Sequence, residues 1–309
     1  MLVSIVIPAC DEEASLEPTV REALTALAAE TVEVIVIDDG SRDGTWGVVE
    51  ALAAAEPRVR GVRLARNFGH MAALQAGLHE ARGAAVITMD ADGQHPAEAL
   101  PEMLAAWRAG AAVVQAVRTA EERRGFFKGF TSRLYYRVFS RLAGIELPEG
   151  AADFRLLSRA VVDVALAHPH FALFLRGFVT WTGFRTTSIP VAFRARRAGA
   201  TKYSLRRMLA LGAEGVLHFS TKPLRAATYL GLATCALSLT YLVYVLAIRL
   251  FGHDYVTGWA SVAGLMALIG GIQLLVVGIL GEYVAVVFER QVGRPDYVVS
   301  ERRGAPSAD

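Results

Sequence analysis

Hydrophobic and polar positions change their period along this chain, and the changes mark out its elements. Val3–Ile7, Val32–Ile37, Val59–Leu64 and Val86–Met89 are short runs rich in apolar and β-branched residues, the pattern of buried strands. Between them lie Leu16–Ala29, Thr45–Ala55 and Met71–Ala81, which read as helices. Alternation at this interval predicts an α/β fold with a mixed, mostly parallel sheet and helices on both faces. Ala112–Val117 reads as a further strand, and residues 113 to 200 as the less regular half of the same domain. Leu205–Phe219 looks amphipathic, with Leu205, Met208, Leu209, Val216 and Phe219 on or near one side. The pattern then changes character. Ala226–Ile248 and Tyr255–Gly281 contain no charged residue. At about 23 and about 27 residues, each is long enough to cross a hydrocarbon core as a helix. Only Arg249–Asp254 separates them, so they form a hairpin. The expected organisation is an α/β domain over residues 1–200, a juxtamembrane amphipathic segment over 201–225, a hairpin over 226–281 with spans 226–248 and 255–281, and a tail over 282–309. From Arg302 onward that tail reads as disordered.

Composition fits this division, because 309 residues with 53% apolar content hold one large domain and a membrane part. Lys202, Arg206, Arg207, Lys222 and Arg225 precede the hairpin, and Arg290, Arg294, Arg302 and Arg303 follow it. The positive-inside rule then places the α/β domain and both termini in the cytoplasm, in an integral protein of the cytoplasmic membrane. Met1–Pro8 is too short an apolar run for a signal peptide and lacks a basic start. The net charge of +2 decides little by itself, and no nucleic-acid partner is expected. Cys10 falls in a loop and Cys235 in a span, which excludes a disulfide framework or a Cys-rich zinc site. Arg123–Leu142 interleaves basic residues with Phe126, Phe127, Phe130, Tyr135, Tyr136 and Phe139. That mixture suits an interfacial helix on an anionic bilayer, or a packed helix with a solvated basic face.

Three predicted strands end in polar clusters: Pro8–Glu13, Asp38-Asp39-Gly40-Ser41, and Asp90-Ala91-Asp92 followed by Gly93-Gln94-His95-Pro96. In a parallel sheet all three lie on one edge, and such sheets bind ligands beyond the carboxyl ends of their strands. Two carboxylates with a flexible Gly behind them suit Mg²⁺ or Mn²⁺ shared with substrate phosphates. A lone D-x-D is also compatible with a solvated acidic turn. Asp38 or Asp39 has the alternative of capping the next helix. Arg66, Asn67 and His70 open a helix whose amides suit an anion, or else they shape the loop. His95, before a proline, reads as a loop residue rather than a ligand.

Taken in order with Arg66-Asn67-Phe68-Gly69-His70, Asp153-Phe154-Arg155, Gly199–Ser204 and Gly281-Glu282-Tyr283, these motifs make the chain resemble the family-2 inverting glycosyltransferases of GT-A fold. More narrowly it resembles the polyprenyl-phosphate glycosyltransferases, the group of dolichyl-phosphate mannose synthase and the undecaprenyl-phosphate glucosyl and aminoarabinosyl transferases. The resemblance runs from Val3 to Tyr297. It implies metal-dependent inverting transfer of a sugar from a nucleotide diphosphate sugar to polyprenyl (undecaprenyl) phosphate. A UDP-sugar such as UDP-glucose is the leading donor and GDP-mannose the second.

The resemblance also implies roles. Glu12 and Asp39 bind the base and ribose, and Pro8, Cys10 and Ile37 line that pocket. Asp90, Ala91, Gln94 and Arg118 contact the donor, with Asp90, Asp92 and Gln94 at the metal and Asp92 foremost. Lys128, Ser132 and Arg155 hold the acceptor phosphate. Asp153 orients the acceptor or acts as base, unless it and Arg155 form only a structural ion pair. Arg196 and Lys202 close over the diphosphate, unless their segment is a polybasic anchor. Asp92, Asp153, Arg118 and Lys202 form the catalytic set, with a surface salt bridge as the plain alternative for Arg118. Two departures stand out: Cys10-Asp11 replaces the usual aromatic-Asn pair, and Gly93 stands where Leu is common, loosening the metal loop. The hairpin also offers a surface for homo-oligomers.

Three rivals share some of these features. One is a glycosyltransferase acting on another lipid or glycan, although two spans and the lack of a Gln-x-x-Arg-Trp motif oppose processive synthesis. The others are a non-catalytic membrane adaptor and a transporter component, the latter opposed by spans with few polar residues beyond Gln273.

Overall fold

The computed structural model describes residues 1–119, 151–168, 175–194, 222–250 and 258–304. Its centre is an eight-stranded sheet in the order β7-β5-β6-β4-β1-β2-β3-β8. The strands are β1 (Leu2–Ala9), β2 (Thr31–Asp38), β3 (Val59–Leu64), β4 (Ala85–Thr88), β5 (Val113–Arg118), β6 (Ala151–Ser158), β7 (Thr186–Val191) and β8 (Val299–Arg303). β1 pairs in parallel with β2 and β4, and β2 with β3. β6 runs antiparallel to both β4 and β5, while β7 is parallel to β5 and β8 antiparallel to β3. The carboxyl ends of β1 to β5 and β7 therefore share one edge with the amino ends of β6 and β8. The mixed, mostly parallel sheet expected from the sequence is present.

Side-chain alternation along the strands builds two apolar layers. Ile5, Ile7, Val34 and Val36 pack against α1 (Glu13–Ala26), α2 (Thr45–Ala55) and α4 (Leu100–Arg108). Val6, Ile35 and Ile37 face α3 (His70–Glu80), α5 (Arg159–Ala167) and α6 (Leu175–Thr182). Burial on both faces explains why these strands read as continuous apolar runs rather than alternating ones. α1 begins at Glu13 rather than at Leu16, so Pro18 lies inside the helix.

The described residues fall into two compact units, and the segment from Pro295 belongs with the sheet. This revises two expectations. The second long helix runs past residue 282 to Gln291, and Arg302 and Arg303 are ordered in β8 rather than loose in a tail. β8 is held by more than its ladder: Glu301 lies 3.6 Å from Arg63, Arg302 3.0 Å from Glu80, and Arg303 2.9 Å from Glu50. The guanidinium groups of Arg63 and Arg303 both approach the Trp46 ring, at 5.6 and 5.9 Å from its centroid.

The second unit contains α7 (Lys222–Leu250) and α8 (Trp259–Gln291), which pack against one another. Lys222–Tyr244 and Gly264–Phe288 are long and apolar enough to cross a membrane. Both leave large apolar side chains exposed, among them Leu237, Leu242, Met266, Leu274 and Val277, unlike the core helices of the first unit. Lys128, Ser132, Arg196, Lys202 and the aromatic-basic stretch Arg123–Leu142 lie outside the described residues.

Candidate functional site

The first two strand-end loops are built as one piece. Asp11 adopts φ 56°, a left-handed conformation that Asn and Asp tolerate better than most residues, so the Cys10-Asp11 departure keeps a residue suited to that turn. Its N–H donates to Ser41 Oγ at 3.0 Å, and its Oδ1 accepts from the Arg42 N–H at 2.8 Å. The Glu12 N–H donates to Thr45 Oγ1 at 2.9 Å, while its carboxylate accepts from Ser15 Oγ at 2.6 Å. Asp38, fully buried, accepts from the Ser41 N–H and lies 3.2 Å from Arg63 Nε.

Asp39 reaches in another direction. Its two oxygens accept from the N–H groups of Phe68 at 2.7 Å and Gly69 at 3.0 Å, at the start of α3. The expected alternative of capping the next helix is thus displaced to a helix one strand further on. Burial pushes the Asp39 carboxyl above its ordinary value, although the two N–H groups pull the other way. Each oxygen retains a second lone pair for a ligand donor. Gly40, at φ 63°, lets the loops meet: a Cβ there would lie 2.4 Å from the Arg66 carbonyl carbon. Arg66 folds over the Phe68 ring at 4.1 Å, and Asn67 Nδ2 donates to the half-buried Cys10 Sγ at 3.1 Å.

Pro8 pairs with Ile37 across β1 and β2. The Ile37 side chain, expected on a pocket wall, is wholly buried in the α3 layer. Strand alternation is the reason: Ile37 shares the face of Ile35.

The Asp90–His95 turn is braced from inside. Gly93 sits at φ 74°, where a side chain is strained, so the residue suits the turn rather than loosening it. Asp92 is buried, accepting from the Gln94 N–H at 3.0 Å and from Gln94 Nε2 at 2.9 Å. Gln94 Oε1 in turn accepts from Arg118 Nη2 at 3.4 Å. Gln94, expected among the metal ligands, therefore ties Asp92 to Arg118. Ala91 is buried, its carbonyl accepting from Thr19 Oγ1. His95 Nδ1 accepts the Asp90 N–H at 2.9 Å, which leaves the ring proton on Nε2, 3.6 Å from Asp90 Oδ2. The ring stacks on Phe154 at 4.8 Å. His95 is thus a buried loop-holder, in keeping with its reading as a loop residue.

β6 enters the same edge in the opposite direction and so brings Asp153 beside the end of β4, where Thr88 Oγ1 donates to the Asp153 carbonyl at 2.7 Å. Arg155 Nη2 lies 2.7 Å from Asp153 Oδ1. With its side chain 1% exposed, Arg155 anchors Asp153, the ion pair that was the expected alternative to contact with an acceptor phosphate. His70 Nε2 stands between two carboxylates, 3.7 Å from Asp90 and 3.9 Å from Asp153.

This edge gathers Glu12, Asp39, Asp90, Asp92, Arg118 and Asp153. A cation shared with a diphosphate needs only one or two protein carboxylates. Asp90, one-third exposed, and Asp92 meet that need, and no closed cage of three His, Cys, Asp or Glu forms among the described residues. The oxygen donors fit Mg²⁺ or Mn²⁺ better than softer metals.

The model of glycosyl transferase family 2 matches residues 4–166. The SfII prophage-derived bactoprenol glucosyl transferase of Shigella flexneri is 35% identical over 310 residues, covering 99% of this chain and 100% of its own. An uncharacterised glycosyltransferase of Bacillus subtilis is 36% identical, covering 97% of this chain and 94% of its own. Among solved structures, glucosyl-3-phosphoglycerate synthase from Mycobacterium tuberculosis, determined with Mn²⁺, UDP and phosphoglyceric acid, has a TM-score of 0.47 at 22% identity, over 70% of this chain and 76% of that one. By its sheet edge, its matched domain and its full-length relatives, the chain belongs to glycosyltransferase family 2.

Proposed function

We propose that this protein transfers a glucosyl group from UDP-glucose to a polyprenyl phosphate of the bactoprenol type, with inversion, at the cytoplasmic face of a membrane. One observation carries the reading: a sheet edge that gathers Asp39, Asp90, Asp92, Arg118 and Asp153 occurs in a chain with two apolar helices, and relatives matching both parts are named bactoprenol glucosyl transferases.

In this proposal Glu12 and Asp39 receive the base and ribose, and Asp90 and Asp92 hold a divalent cation against the donor diphosphate. Such an ion, when bound, supplies Lewis-acid relief for the leaving group. Arg118 adds fixed positive charge where the diphosphate gains negative charge. The acceptor phosphate, with a second pKa of about 6, arrives largely ionised and needs orientation more than a strong base. Asp153, held by Arg155, is placed to orient it. An oxygen of the lipid phosphate bonds to the anomeric carbon as the bond from that carbon to the diphosphate oxygen breaks on the opposite face. UDP leaves with the electron pair, and the sugar inverts. Lys128 and Ser132 at the acceptor, and Arg196 and Lys202 at the diphosphate, complete the set by resemblance. The hairpin keeps the enzyme at the lipid, with both termini in the cytoplasm and a surface for self-association.

The test uses full-length protein in detergent with Mg²⁺ or Mn²⁺, undecaprenyl phosphate and labelled UDP-glucose, UDP-galactose, UDP-N-acetylglucosamine or GDP-mannose. Label from UDP-glucose should enter the organic phase, with Asp92→Ala reducing the rate by about a thousandfold. Transfer from another donor alone would overturn the sugar, and transfer from none would overturn the reaction.

A further inference from the structure

One buried ring at the site edge has no role in the chemistry above. Phe193 follows β7 and is 7% exposed. The Arg118 guanidinium carbon lies 4.5 Å from its centroid, well within the range of a cation–π contact. The ring also meets His95 edge-on at 5.3 Å and Phe154 edge-on at 6.5 Å. Next to it, the Arg194 N–H donates to the Gln94 carbonyl at 2.9 Å, and the Arg194 guanidinium pairs with Glu22 and Glu98. The backbone carrying Phe193 is therefore fastened to the turn that carries Asp92.

We infer that Phe193 is a positioning residue of the donor site, aligning the Arg118 guanidinium on one side and bracing the Asp90–His95 turn on the other. The inference rests on the donor reading of this sheet edge. Its physical basis is restraint. Arg118 has a long, rotatable stem, and its guanidinium meets Gln94 Oε1 at 3.4 Å. A ring face above the guanidinium restricts its orientation without itself adding a counter-charge. The same ring limits movement of His95, whose Nδ1 holds the Asp90 N–H. An aliphatic side chain of similar volume fills the space but offers no π face. A purely packing role and a positioning role therefore separate experimentally.

The experiment is titration of UDP with Mn²⁺ into full-length wild type, Phe193→Leu, Phe193→Tyr, Arg118→Ala and the Phe193→Leu/Arg118→Ala double variant, each checked by thermal melting. Phe193→Leu should bind UDP about tenfold more weakly with a near-native melt, and Phe193→Tyr within about twofold of wild type. The double variant should lose clearly less than the product of the two single losses, because part of the ring's effect runs through that side chain. Native affinity in Phe193→Leu, losses that multiply in the double variant, or a folded Phe193→Tyr as weak as Phe193→Leu would each overturn the inference. Should Leu prevent folding, Phe193→Met asks the same question with the same outcomes. A folded wild type that does not bind UDP with Mn²⁺ would remove the donor reading and the inference with it, a result distinct from normal wild-type binding with an unaffected variant.

Discussion

Arg60→Met should be among the most destabilising single substitutions in the eight-stranded sheet, and its size follows from what it strands. Arg60 on β3 and Glu33 on β2 form an ion pair at 2.8 Å with side chains 8% and 5% exposed. The guanidinium also donates to the Glu80 carbonyl at 2.8 Å. Glu33 Oε1 accepts from Ser4 Oγ at 2.6 Å and from the Arg82 N–H at 2.8 Å, so only Oε2 loses its cation. Removing one member of a buried pair costs about 3–5 kcal/mol, and the surviving bonds place this case near 3. Burial raises the Glu33 carboxyl, but Ser4, the Arg82 N–H and Arg60 outweigh it and hold the pKa below the ordinary value. The folded pKa thus lies below the unfolded one. The stabilising contribution is present above the ordinary carboxylate range and is lost as pH falls through the lowered folded value. Melting of the full chain in detergent should show Arg60→Met well below wild type at pH 7, with the gap narrowing in acid. Adding Glu33→Gln to Arg60→Met should recover much of the loss, because the stranded charge is gone. A loss under about 1 kcal/mol at pH 7, or no recovery in the double variant, would refute the reasoning.

Two further outcomes are expected. Gly93→Ala forces a Cβ into the left-handed region at φ 74°, at a cost of about 1–2 kcal/mol, and should raise several-fold the Mn²⁺ concentration needed for half-maximal transfer. A chain stopped after Arg294 loses β8 and its ion pairs to Arg63, Glu80 and Glu50, which bares the β3 edge; size-exclusion chromatography should show increased self-association, and the melting midpoint should fall.

What the sequence disclosed was what local pattern encodes. Thr45–Ala55 and Val59–Leu64 have the boundaries read from periodicity, and the polar clusters at Asp38 and Asp90 share an edge because their strands are parallel. What it hid depends on distant partners. Val299–Arg303 carries three charged residues in succession, and only pairing to β3 and salt links to Arg63, Glu80 and Glu50 make it a strand. The resemblance alone placed Arg155 at the acceptor phosphate, and its i, i+2 relation to Asp153, which puts both on one strand face, left the ion pair as the alternative that the structure displays at 2.7 Å. Which layer Ile37 joins within its buried strand could be read only once α3 was placed. His95 and Phe193 are far apart in sequence, and nothing local shows that their rings meet beside Arg118.

The late position of β8 in the chain sets an order of events during synthesis. β3 leaves the ribosome long before its outer neighbour exists, and both apolar helices are made in between. At about 5–20 residues per second, the wait is roughly ten to fifty seconds. Through that interval β3 offers unpaired N–H and C=O groups to any passing strand. Arg60 and Arg63 on so short a strand are the kind of charge that discourages such pairing. The sheet can therefore close only after both apolar helices have been translated, so that the emergence of β8, rather than of the matched domain, marks the moment at which the sheet is complete.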